Sequence, residues 1–81
     1  MGDRFLIYGL SECPFCITAV DHLSANNLEY IYFELDSDPE FLSEVKSFYN
    51  FQTVPVILKN CLTSGEVSFV GGCSDLMDLV A

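Results

Sequence analysis

Cys13-Pro14-Phe15-Cys16 stands between a β-like run and a helix-like one, and this placement constrains the chain more than any other feature. Residues 4–8 before it are β-favouring and, from Phe5 on, continuously apolar, as in a strand buried on both faces. Beyond it Cys16, Val20 and Leu23 recur at i, i+4 and i+7 with Ile17 alongside. Asp21 and His22 face away, so the segment reads as an amphipathic helix ending near Asn26-Asn27. A strand feeding a helix sets Cys13 at the helix N-terminus, where unpaired N–H groups and the helix dipole favour an anion. A thiol in that field loses its proton more readily, and the thiolate is the reactive species. Pro14 suits the first turn, where its missing N–H would have had no partner. Cys16, one turn on, is within reach to close a short disulfide. A redox-active dithiol is the chemistry this spacing favours. A zinc site would need four ligands, and Cys61, Cys73 and His22 supply no second close pair. A purely structural disulfide over so short a loop would remove little entropy from the unfolded chain.

The 81 residues are expected to form one domain, 1–81, and 51% hydrophobic residues with seven Phe are enough to fill its core. No stretch reads as a linker, repeat or low-complexity tract. No apolar run approaches the roughly 20 residues of a membrane span. Met1-Gly2-Asp3-Arg4 lacks the basic region and cleavage site of a secretory signal. A cytoplasmic setting follows, and there an isolated Cys-x-x-Cys means catalysis or metal. Net charge is −9, with Arg4, Lys46 and Lys59 the only cations. That field repels phosphate backbones and anionic bilayers, so neither nucleic acid nor membrane is an expected partner. Proteins with a basic docking patch, or small molecules held by local charge, remain.

Residues 28–35, rich in aromatic and β-branched side chains, predict a second strand. Asp38 then offers an N-cap and Pro39 a first helical position, with Phe41, Val45 and Phe48 as the apolar stripe of a helix running to about Asn50. Residues 53–58 predict a third strand with a proline at its entrance. Thr63-Ser64-Gly65 reads as a turn and residues 67–70 as a fourth strand, the two forming a hairpin. After Gly71-Gly72, residues 74–80 make a last short helix. The order is βαβαββα: an α/β fold with a mixed four-stranded sheet flanked by three helices. The first two strands are parallel through a right-handed crossover, and the last two antiparallel.

Three separated motifs now line up: Cys13-Pro14-Phe15-Cys16, Thr53-Val54-Pro55 before the third strand, and Gly71-Gly72-Cys73-Ser74-Asp75 before the last helix. In this order and spacing, over nearly the whole chain, they resemble the glutaredoxins, short dithiol members of the thioredoxin-like superfamily. The resemblance implies a cis Val54–Pro55 bond, with backbone that meets an extended peptide-like ligand beside the dithiol. It implies glutathione as reducing co-substrate, with no permanently bound cofactor or metal. Cys13 and Cys16 would be catalytic, and Pro14, Phe15, Thr53, Val54, Pro55, Gly72, Cys73, Ser74 and Asp75 would contact glutathione. Gly71-Gly72 would admit close approach of backbone to ligand, and the helix N-terminus at Cys73-Ser74-Asp75 would receive the γ-glutamyl carboxylate. Asp75 would pair with the γ-glutamyl amino group; taken alone, it is a first-turn acid complementing the dipole.

One departure matters. The family usually carries Lys or Arg three residues before the first cysteine, and Leu10 stands there, with Glu12 closer still. The glycine carboxylate of glutathione loses its usual cation unless Lys46 or Gln52 replaces it. Cys13 is then expected to have a pKa below the ~8.5 of a free thiol, yet higher than in relatives with the cation. The stretch between Leu58 and Phe69 is also longer than usual. Cys61 and His22 read as bystanders, Cys73 as a passive thiol, and Phe15 as an aromatic face beside the dithiol.

The function implied is glutathione-dependent reduction of protein disulfides and glutathione mixed disulfides by a monomer. Partners by analogy include glutathionylated proteins and ribonucleotide reductase, in the cytoplasm or, for a viral chain, the host cytoplasm. Two alternatives stand: a redoxin of the same fold reduced by thioredoxin reductase, and a carrier of a glutathione-ligated iron–sulfur cluster. Leu10 leans toward the first and the Gly-Gly-x-Ser-Asp motif against it, while Pro14 stiffens a loop that is Gly-Phe-Ser in cluster carriers.

Overall fold

The computed structural model describes residues 2–80. Along the chain run β1 (Asp3–Gly9), α1 (Pro14–Ala25), β2 (Glu29–Glu34), α2 (Pro39–Phe48), β3 (Val56–Cys61), β4 (Val67–Gly71) and α3 (Cys73–Leu79). This is the predicted βαβαββα order. The four strands form one sheet in the order β2-β1-β3-β4. β1 and β2 are parallel, with Ile7 opposite Tyr32, and α1 supplies the crossover that a parallel pair requires. β3 runs antiparallel to β1 and to β4, the latter pairing with an irregularity between Ile57 and Leu58.

α1 and α2 begin and end where their chemistry says they should. Cys13 is the N-cap of α1 and Asp38 that of α2, whose carboxylate accepts the Phe41 N–H at 3.2 Å. Asn27 and Asn50 take left-handed φ angles of 56° and 54° just past the two C-caps. The N–H groups of Leu28 and Phe51 then bond back to Leu23 and Lys46, closing both helices.

Phe5 and Ile7 of β1, Ile57 of β3, Ala19 and Leu23 of α1 and Leu76 of α3 form the core. The faces of two helices differ from the sequence reading. On α1 the buried row is Cys16, Ala19 and Leu23, while Val20 is half-buried and Ile17 exposed. On α2 Leu42 and Val45 are buried, whereas Phe41 and Phe48 of the expected stripe turn outward, Phe48 to 80% exposure. The two stripes are one helical step apart, and the sheet accepts the narrower aliphatic one. β3 also begins later and ends later than expected, at Val56 and Cys61, because residues 53–55 bend rather than pair. His22 is not a free surface residue: it is half-buried, and its Nε2 is bonded to the Val80 carbonyl. No described helix is long and apolar enough to cross a membrane.

Candidate dithiol site

Cys13 follows β1 across a short loop and caps α1 in an extended conformation, φ −119° and ψ 114°, with Pro14 as the first helical residue. Its Sγ accepts the Cys16 N–H at 3.4 Å, and its carbonyl accepts the Ile17 N–H at 2.9 Å. The sulfur therefore occupies the place of a capping oxygen, where the first free N–H groups of α1 converge. The loop is tied down from the far side: Ser11 donates its N–H to the Asp36 carboxylate at 3.1 Å and its hydroxyl to the same group. Cys16, 1% exposed, lies behind Cys13, and both are free thiols. Burial pushes the Cys16 thiol upward, and the hydrogen bond with Cys13 adds to it, while contacts with the Leu10 backbone and Tyr32 pull the other way.

Beside the dithiol lies a cavity of about 480 Å³. Phe15, Thr53, Val54, Pro55, Gly72, Cys73, Ser74 and Asp75 all line it, so it gathers residues from all three sequence motifs. Cys13, Pro14 and Cys16 are not among its walls. Phe15 is 66% exposed and stands at the side nearest the dithiol in sequence. The Val54–Pro55 bond is cis, as the resemblance implied. Gly71 has φ 126°, which an L side chain rarely adopts, and a methyl group there would strike the Asp75 carboxylate. That carboxylate accepts the Gly72 N–H at 2.9 Å, reaching back from the first turn of α3 to the residue that precedes it. Burial raises the Cys73 thiol, and Cys13 is close enough to add to the shift.

Three further walls were not read from the sequence: Thr18, Phe51 and Met77. Thr18 is one turn beyond Phe15 and Met77 one turn beyond Ser74, so helical spacing from the motifs would have found both. Phe51 carried no such signal; it meets Gly72 across the cavity, 3.2 Å from where a Cβ would stand. Leu10 is half-buried and brings no charge to the site. Arg4 and Lys59 pair with Glu29 and Asp3 at 3.9 and 4.0 Å, toward the opposite end of β1. Lys46 instead lines a smaller polar cavity with Gln52, which shares the Phe51 wall. Cys61, opposite Asp3 on the sheet, lies at the end of β1 remote from the dithiol. Its thiol is pulled downward chiefly by a hydrogen bond with Ser64. Among the described residues no three His, Cys, Asp or Glu side chains group as a metal centre.

A thioredoxin-like sheet with a Cys-x-x-Cys pair capping its first helix defines the redoxin class. Within it, residues 5–60 match the glutaredoxin family, and the chain belongs to that family. The fold is similar to that of wheat glutaredoxin, with a TM-score of 0.77 and 24% identity over 93% of this chain and 67% of that one. It is similar to the dithiolic glutaredoxin of Trypanosoma brucei brucei, with a TM-score of 0.73 and 28% identity over 95% and 76% of the two chains. The glutaredoxin-like NrdH-redoxin of Escherichia coli shares the fold at a TM-score of 0.58 and 22% identity, over 67% of this chain and 70% of that one. No curated protein matches the chain in sequence.

Proposed function

We propose that the protein is a glutathione-dependent thiol–disulfide oxidoreductase that reduces glutathione mixed disulfides and protein disulfides. The observation that carries this reading is the 480 Å³ cavity beside the dithiol, whose walls come from all three motifs. Glutathione lies in it extended along the Val54 backbone, its γ-glutamyl end at the start of α3 near Asp75. Its glycine carboxylate points toward Phe51 and the neighbouring Lys46 and Gln52, the nearest replacement for the cation missing at Leu10.

The Cys13 thiolate attacks the glutathione sulfur of a mixed disulfide. The substrate thiolate leaves and takes up a proton, and glutathione stays on Cys13. A second glutathione thiolate attacks that sulfur, releasing oxidised glutathione and the Cys13 thiolate. With a protein disulfide, Cys13 forms the mixed disulfide and Cys16 resolves it, leaving a Cys13–Cys16 disulfide for two glutathiones to reduce. An attacking thiol with a pKa near ambient pH is optimal, so the missing cation need not slow turnover. Cytoplasmic glutathione supplies the electrons, and glutathionylated or disulfide-bearing proteins, ribonucleotide reductase among them, are the substrates.

The test is reduction of a small glutathione mixed disulfide by the wild type, Cys13→Ser and Cys16→Ser. Activity lost with Cys13 and retained without Cys16 is the expected result. The absence of a cation at Leu10 favours a second reading, reduction by thioredoxin reductase. Inactivity of the wild type at saturating glutathione, with turnover by the reductase, would establish that reading instead. The E. coli NrdH-redoxin, a glutaredoxin-like protein that shares the fold, is described as having a thioredoxin-like activity profile.

A further inference from the structure

The resolving step sets Cys16 a problem. Its side chain is 1% exposed, behind a Cys13 that is itself buried. To attack, it must give up a proton inside the fold and hold a negative charge there.

Tyr32, on β2, is the polar group beside it. Its hydroxyl donates to the Leu10 carbonyl, in the loop that leads to Cys13. Gly9 brings hydroxyl and thiol together. A methyl group on Gly9 would stand 2.6 Å from the Cys16 sulfur and 2.8 Å from the Tyr32 oxygen, so the two fill the space that a side chain would otherwise take. Burial raises the Cys16 thiol, and the neighbouring Tyr32 hydroxyl pulls it back down. Burial in turn keeps the Tyr32 phenol protonated far above neutral pH. A phenol of that kind is a poor base and a dependable donor. On its other side Tyr32 lines a cavity of about 280 Å³ together with Asp21 of α1 and Glu34 of β2. The titratable groups around the pair are thus Cys13, Asp21, Tyr30 and Glu34.

We propose that Tyr32 is the hydrogen-bond partner of the resolving sulfur: its hydroxyl accepts the Cys16 S–H at rest and turns from the Leu10 carbonyl to donate to the Cys16 thiolate during attack. The inference rests on the reading of Cys16 as the resolving thiol. The Cys16 proton leaves to water through the cavity behind Tyr32. The Cys16 thiolate attacks the Cys13 sulfur, the Cys13–Cys16 bond forms and the bond from Cys13 to the substrate sulfur breaks. The departing thiolate takes a proton from water, so the step consumes one thiol and releases one. When the disulfide is made, the hydroxyl returns to Leu10.

The test needs no glutathione. In a Cys61→Ser, Cys73→Ser protein, the aromatic disulfide 5,5′-dithiobis(2-nitrobenzoate) releases one coloured thiolate when Cys13 attacks and a second when Cys16 resolves. Stopped-flow absorbance separates the two phases. Tyr32→Phe is expected to leave the first phase within about twofold and to slow the second about tenfold at neutral pH, the loss of a hydrogen bond to a charged group. The pH midpoint of the second phase moves upward, and the two proteins converge at high pH. Tyr8→Phe, which alters a phenol on the opposite face of the sheet, leaves both phases unchanged. A second phase equal to wild type at every pH, or slowed equally at every pH, overturns the role of Tyr32. A first phase absent even without Tyr32→Phe overturns Cys13 as the nucleophile, and the inference falls with it.

Discussion

The two faces of the sheet are built differently. On one, Phe5, Ile7 and Ile57 meet Ala19, Leu23 and Leu76 of α1 and α3, every one 3% exposed or less. On the other, α2 sets down only Leu42 and Val45, and aromatic rings cover the rest. Tyr8 stacks on Phe33 at 4.8 Å and meets Phe41 edge-on, and Tyr49 stacks on Phe69 at 5.1 Å. Two of those rings, Phe41 and Phe69, are exposed and the other three half-buried. The dithiol and the start of α3 hang from the first face, where close packing leaves each helix one position. The second contributes only Phe51 to the large cavity. Chemistry that depends on the mutual placement of two sulfurs sits on the face that cannot shift.

Breaking the tight face should therefore have the largest effect. Leu23→Ala deletes a side chain with no exposure from between α1 and the sheet, at an expected cost of about 2–5 kcal/mol. For a domain this small that is much of the total stability, so denaturant midpoints should fall sharply and disulfide reductase activity with them. Phe41→Ala, on the other face, removes a ring 40% exposed and its edge contact with Tyr8. Its expected cost is about 1 kcal/mol, with activity of the folded fraction unchanged. Equal losses in the two variants would show that the faces are energetically alike.

Much of the tight face was legible in the sequence. The cysteine spacing, the apolar run before it and the glycines after β4 each carry a local rule, and local rules place β1, α1 and α3 correctly. The cap at Asp38 and the asparagines after α1 and α2 do the same for the ends of those two helices. The α2 face escaped, since Phe41-Val45-Phe48 and Leu42-Val45 both fit helical periodicity. Which of them the sheet accepts depends on the shape left by Tyr8, Phe33 and Val56. Phe51 and Tyr32 escaped for the same reason. Tyr32 reaches Cys16 because the β1–β2 register sets it opposite Ile7, two residues from Gly9, and no spacing within β2 reports that.

Acidity sharpens the comparison, because the perturbed groups of the dithiol lie on the tight face. Cys16 is raised from 9.0, chiefly by burial, and Tyr32 from 10.0 for the same reason. In both, the folded state binds the proton more tightly than the unfolded chain. Their contribution to stability is whole below the unfolded values and is lost as pH climbs through them toward the folded ones. The urea midpoint of the reduced protein should thus decline from about pH 9 upward. The Cys13–Cys16 disulfide form has no Cys16 proton to lose, so its decline over the same range should be shallower and come from the raised thiol of Cys73 and the raised phenols of Tyr8 and Tyr32. Urea titrations of both redox forms at pH 7 and pH 10, in a Cys61→Ser background, check this. A reduced protein whose midpoint is flat across that interval would show that Cys16 opens to water without unfolding.

The smallest effect is expected where the loose face is most open. Phe48 is 80% exposed and touches Tyr49 edge-on, with ring centres 4.8 Å apart. Phe48→Ser gives up that one contact and removes apolar surface that already faces water. Stability should change by no more than about 0.5 kcal/mol, and redox activity not at all. A loss several times larger would mean that Phe48, Tyr49 and Phe69 hold together as one aromatic unit. α2 would then be pinned through its last turn, and the polar cavity of Lys46 and Gln52 would be as rigidly placed as the dithiol.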